Sequence, residues 1–221
     1  MNIDSYEPYH IGLKLGILVD VETLKNKLRK QLKYEDYKDK ELVQSQINID
    51  SISETLGIKE ETKIELNYTT HSVNIIGDQP ATVIKHFEKI IELFAKIGYD
   101  INVTIQFYEI IAGIVVKYDK NPMELMTNSV KLDVEKLTNT HKSLGARELG
   151  IESLRIGNRL KPQMMDIFTS IIVEPSAVNP SNSFLIKTIY RSKSINEIML
   201  FHNELEKIIS DIVNSLDLEN L

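Results

Sequence analysis

From Tyr9 to Val19 the apolar residues Ile11, Leu13, Leu15 and Ile17 alternate with His10, Gly12, Lys14 and Gly16. A period of two is the spacing of a strand buried on one face, and the two glycines on the opposite face either mark bulges, the commoner case, or let a neighbouring backbone come close. Asp20 then stands at an N-cap position ahead of Val21, Leu24, Leu28 and Leu32, which predicts a surface helix running to Lys33 with a narrow apolar stripe. Between Tyr34 and Glu60 the pattern weakens to a short alternation at Ile47 and Ile49 and a helical turn from Ser51 to Leu56. Ile64, Leu66 and Tyr68 alternate again, Val73 to Ile76 are apolar, and Thr69 to Ser72 predict the hairpin turn between them. Asp78 as a cap and Pro80 in the first turn open a long helix, whose Val83, Phe87, Ile90, Ile91, Phe94 and Ile97 keep helical spacing until Gly98.

The same order follows a second time. Ile101, Val103, Ile105 and Phe107 alternate and lead into the apolar run around Gly113, a long bulged strand or a strand pair. Asn121, Pro122 and Glu124 form a helix start, with Met123, Met126, Val130, Val134 and Leu137 continuing its stripe. Strands are predicted over Arg147 to Leu160, Ile167 to Glu174 and Phe184 to Arg191, with Pro175 and Pro180 bounding a loop. The last helix opens on a capping box, Ser194 to Glu197, and carries Ile198, Phe201, Leu205, Ile208, Ile209, Ile212 and Leu216 inward. Phe87-Glu88-Lys89-Ile90-Ile91 in the first long helix is echoed 118 residues later by Leu205-Glu206-Lys207-Ile208-Ile209 in the last.

Both halves therefore read strand, helix, three strands, long helix. The fold class expected is α+β: two similar βαβββα halves, residues 1–98 and 99–221, sharing a mainly antiparallel curved sheet with the long helices packed on one face. In this element order the chain resembles the TATA-binding-protein-like and helix-grip folds, whose curved sheet wraps a long helix. The resemblance is one of topology, carried by no motif, and brings no function with it.

Composition narrows the chemistry. The 221 residues are 42% hydrophobic and 26% charged, an ordinary globular mixture. With no cysteine, disulfides, thiolate nucleophiles and cysteine-ligated metals are excluded. The polar start and the short apolar runs predict a cytoplasmic protein with no membrane span. A net charge of −6 gives no general field for nucleic acid, and the basic cluster Lys25, Lys27, Arg29, Lys30 and Lys33 is followed at once by Glu35, Asp36 and Asp39, as on a solvated helix face.

His10, His71, His86, His141 and His202 show no spacing that places two imidazoles on one helix face, so neither a metal nor a cofactor is expected. No nucleophile elbow or phosphate loop is present, and no catalytic residue is assigned. The densest polar constellation runs from His141 through Arg147 to Arg155 and Arg159. If Leu154, Ile156 and Leu160 face inward, Arg155, Gly157 and Arg159 share the outward face, two planar donor forks suited to a carboxylate or phosphate. The plainer reading pairs both arginines with surface carboxylates.

The expectation is a protein-interaction or assembly module acting by binding rather than catalysis, with a protein partner and self-association into a homo-oligomer. The alternative is a small-ligand cradle holding an anion near Arg155, Arg159, Arg147 and His141.

Overall fold

Strands that alternate need partners on both edges and cover on one side, and the chain supplies both. A computed structural model describes residues 2–35, 42–43, 51–130, 151–158 and 167–216. The first half comprises β1 (Asn2–Tyr6), β2 (Tyr9–Leu15), α1 (Val21–Leu32), β3 (Leu42–Val43), β4 (Ser51–Lys59), β5 (Thr62–Asn67), β6 (Ser72–Gly77) and α2 (Pro80–Lys96). After the short α3 (Ile101–Thr104) come β7 (Ile105–Lys117), α4 (Pro122–Ser129), β8 (Leu154–Gly157), β9 (Ile167–Pro175), β10 (Ser183–Ser192) and α5 (Ile195–Leu216).

The strands form one sheet in the order β3-β4-β5-β6-β2-β7-β10-β9-β8, and the pairs are antiparallel. β1 prolongs the line of β2 along the same edge of β7. The chain is thus the expected α+β fold with a shared, antiparallel sheet; the second run is βαβββα after the short α3, while the first carries two further short strands, β1 and β3. From the central β2–β7 pair the order is the same in both directions: the last strand of each run, then its predecessors.

Tyr9, Ile11, Leu13, Ile110, Ile114 and Val116 point from the central strands toward the helices and lie in the core. There they meet Val83, Phe87, Ile90 and Phe94 of α2 and Ile198, Leu205, Ile209 and Val213 of α5. Each central strand sets one tyrosine edge-on against the long helix of the other half. Tyr9 packs on His202 (5.6 Å, 71°) and Tyr108 on Phe87 (5.8 Å, 89°). Counted from the first residues of α2 and α5, Phe87 stands level with His202 and not with Leu205. The five-residue echo is therefore out of step by almost one turn, and the likeness of the halves lies in their topology.

Local chemistry explains the element ends. Asp20 Oδ1 accepts from Thr23 N at 3.1 Å and caps α1, and Lys33 closes that helix in the left-handed region at φ 59°. Asn121 Oδ1 accepts from Met123 N at 3.0 Å to start α4. Glu60 and Glu61, at φ 51° and 58°, make the two-residue turn between β4 and β5, whose positive φ values match strand twist.

Several expectations change. Residues 51–56 are strand, not a helical turn; a register shift between Thr55 and Gly57 breaks the alternation. Ile101 and Val103 lie in α3, because Asp100 Oδ1 accepts from Asn102 N and turns the chain before β7 begins. The cap of α2 is Gln79, without a side-chain bond, rather than Asp78. The shift in the β2–β7 register falls at Lys14 and Leu15, leaving Gly12 in regular pairing. Only half of the capping box forms: Glu197 N donates to Ser194 Oγ at 3.4 Å, while the Glu197 carboxylate accepts from Tyr190 Oη at 3.3 Å. The alternation at Ile47 and Ile49, the stripe at Val134 and Leu137, and the ends of the Arg147–Leu160 strand lie outside the described residues. No helix among the described residues is long and apolar enough to cross a membrane.

Candidate functional site

The alternate residues of the strands make the face of the sheet opposite the helices. There the register sets Thr55, Glu65, Asn74, Gly12, Glu109, Arg191 and Phe168 side by side across seven strands. Two residues along the same face, His10 lies between Ile76 and Ile111; two residues the other way, Lys14 lies between Ser72 and Phe107.

These rows enclose a hollow of about 340 Å³ whose walls include His10, Lys14, Asn74, Phe107, Glu109 and Arg191. Its floor is open because Gly12 carries no side chain: a Cβ there would sit 3.3 Å from Asn74 Oδ1 and 3.6 Å from His10 Nε2. Arg191 is held rigidly. Its Nε donates to Glu109 Oε2 at 2.9 Å, its Nη2 donates to the same oxygen, and its guanidinium lies 4.3 Å from the centre of the Phe107 ring and 5.5 Å from that of Phe168. Such stacking fixes a planar cation while leaving its partner's second oxygen unused.

At the opposite rim Lys14 Nζ donates to the Thr70 carbonyl. The turn carrying that carbonyl is braced by Thr70 N donating to Asn67 Oδ1 and by the Thr70–Ser72 hydroxyl pair, each at 2.8 Å. Nε2 of His10 is buried without a hydrogen-bond partner. Burial holds this imidazole below its ordinary value, against the opposing pull of Asn74, Glu109 and Glu65, so it is neutral near pH 7. The hollow thus combines two cations, Lys14 and Arg191, one half-used carboxylate, a carboxamide and a neutral imidazole on a partly apolar floor, which suits recognition of a small polar molecule.

Two other histidines are structural. His202 Nδ1 bonds Tyr9 Oη at 2.9 Å, and His86 Nδ1 bonds Tyr34 Oη, so each ties a long helix to the layer beneath it. Among the described residues no three His, Asp or Glu side chains gather as a metal site.

Of the arginines singled out from the sequence, Arg155 lies on β8 on the helix-free face with Gly157, and its Nε donates to Ser170 Oγ at 3.1 Å. It is exposed near one end of the sheet and does not line the hollow. His141, Arg147 and Arg159 lie outside the described residues. The residues that sequence reasoning passed over are His10, Lys14, Asn74, Glu109 and Arg191. The only signal for them was the polar half of each strand's alternation, since strand pairing alone brings them together.

Neither a protein-family model nor a curated protein matches the chain. Among solved structures it is similar to Methanococcus jannaschii TBP, with 13% identity over 96% of this chain and 97% of that one, at a TM-score of 0.36.

Proposed function

We propose that this protein acts by binding, and that the hollow on the helix-free face of its sheet is the recognition site for a small molecule. The observation that carries this reading is the set of polar side chains, Lys14, Asn74, Glu109 and Arg191, that line one hollow over the side-chain-free floor at Gly12. Glu109 Oε1 and the Lys14 ammonium keep hydrogen-bonding capacity there that a ligand can use. Native mass spectrometry of freshly purified protein tests the idea. A retained small molecule, absent from Asn74→Ala, is the expected result; a clean apo spectrum for the native chain, together with no thermal stabilisation by a small-metabolite panel, overturns it.

Self-association into a protein-interaction module is the second reading. It is supported by the exposed Ile156 (46%) on β8, at one end of the described sheet. Sedimentation velocity at micromolar concentration decides it, a monomer counting against it. We further take 1–98 and 99–221 as two copies of one βαβββα unit, a division supported by the mirrored strand order.

A further inference from the structure

We infer that the ligand of the hollow is a small zwitterion of the α-amino-acid kind, its ammonium group set at Glu109 and its carboxylate at Lys14. The inference rests on the hollow being a ligand site and names the class of molecule it takes.

The argument begins with two opposite charges that line one space and do not pair. Lys14 and Glu109 stand on neighbouring strands, with Gly12 directly opposite Glu109 and Lys14 two residues further along the same face. Diagonal neighbours of this kind lie roughly 7–8 Å apart at the backbone, close enough for long side chains to meet. Each is instead turned to a separate partner. Lys14 donates one hydrogen bond to the Thr70 carbonyl and keeps two further donors. Glu109 receives both Arg191 donors on Oε2, so Oε1 remains as an acceptor.

A simple cation drawn to Glu109 would meet both Lys14 and Arg191, a like-charge penalty, and a simple anion drawn to Lys14 would leave Glu109 Oε1 without a donor. A molecule bearing both charges at one end satisfies Lys14 and Glu109 together. Asn74, across the floor from Glu109, adds a donor and an acceptor for the same polar end, and neutral His10 adds Nε2. Phe107 and Ile111 offer apolar contact for a short side chain. The volume, about 340 Å³, falls at the small end of the ~300–1,000 Å³ range of ligand pockets, as a molecule of this size requires.

The test uses the full chain and the standard L-amino acids, first by thermal shift and then by calorimetry, with the N-acetyl and carboxamide derivatives of each binder. The expected result is that at least one amino acid binds and that blocking either charge weakens it roughly tenfold or more. Lys14→Met is expected to lose a similar factor for the free amino acid while leaving the affinity for its carboxamide unchanged. Derivatives that bind as tightly as the parent overturn the zwitterion. If no amino acid binds but another small molecule copurifies and is lost in Asn74→Ala, the zwitterion is wrong and the hollow stands. If neither is found, both readings fall.

Discussion

The contact between Tyr9 and His202 offers a measurement of how the two halves hold one another. Tyr9 has no solvent exposure, its hydroxyl lies 2.9 Å from His202 Nδ1, and its ring meets the imidazole edge-on at 5.6 Å. In His202→Phe the ring and its edge contact remain, as in the matching Tyr108–Phe87 pair, while the acceptor is lost. A hydroxyl buried without its partner costs about 1–3 kcal/mol. For a domain of this length that is a fall in Tm of roughly 2–12 °C. Tyr9→Phe removes the buried hydroxyl instead and leaves an imidazole that is only half-buried, so about 0.5–1.5 kcal/mol is expected. Removing both groups leaves no unpaired atom, and the double variant is expected to be more stable than the sum of the single losses by about 1 kcal/mol or more. Urea unfolding at pH 8, followed by circular dichroism, gives all four free energies. A His202→Phe variant within about 0.5 kcal/mol of the native protein, or strictly additive losses, would refute the reasoning.

Phe87 of α2 is fully buried against Tyr108, so Phe87→Ala is expected to lose about 3–5 kcal/mol; a loss under about 1 kcal/mol in urea unfolding would contradict that packing. A Cβ at Gly113 would lie 2.9 Å from Glu7 Cβ, so Gly113→Ala should destabilise by roughly 1–3 kcal/mol, and much of that loss should vanish in a Glu7→Gly background. His10, His86 and His202 are all held below the ordinary imidazole value, chiefly by burial. The unfolded chain therefore takes up protons near pH 6.5 while the fold resists, and stability, complete above that pH, should decline from there toward pH 5; a flat or rising urea midpoint on acidification would count against it. Tyr6 and Tyr68 are pushed up to about 12 by burial first and by Glu206 and Glu54 next. Both stay protonated in the fold as pH passes 10, so stability is lost between about pH 10 and 12, and absorbance at 295 nm that shows every tyrosine ionising below pH 11 in still-folded protein would be inconsistent with it.

Much of the fold was legible because regular burial imposes regular spacing. α2 and α5 show their stripes at Val83, Phe87, Ile90 and at Ile198, Phe201, Leu205, and the sequences of β2 and β5 alternate. Segments were misread where an irregularity interrupts the period. In β4 Ile52 and Leu56 stand four apart, as on a helix, and the register shift at Thr55–Gly57 interrupts the alternation; in β1 a shift between Ile3 and Ser5 interrupts the pairing with β7. The candidate site was much less legible. Arg155 shares a face with Gly157 as its alternation predicts, yet the hollow is assembled from β2, β5, β6, β7 and β10. His10, Asn74, Glu109 and Arg191 each read singly as an ordinary solvent-side residue, and only register between strands far apart in sequence makes them neighbours.

The seam between β2 and β7 has a consequence for how the chain reaches its native state. It joins residues such as Ile11 and Ile110, so forming it closes a loop of about 100 residues, which is entropically costly before any contact compensates. A fragment ending at Gly98 would leave one edge of β2 as bare amides and Tyr9 without α5 above it. Neither half is then a self-sufficient folding unit, and acquisition of structure should be a single slow event, limited by the search that first brings the two ends of that loop into register.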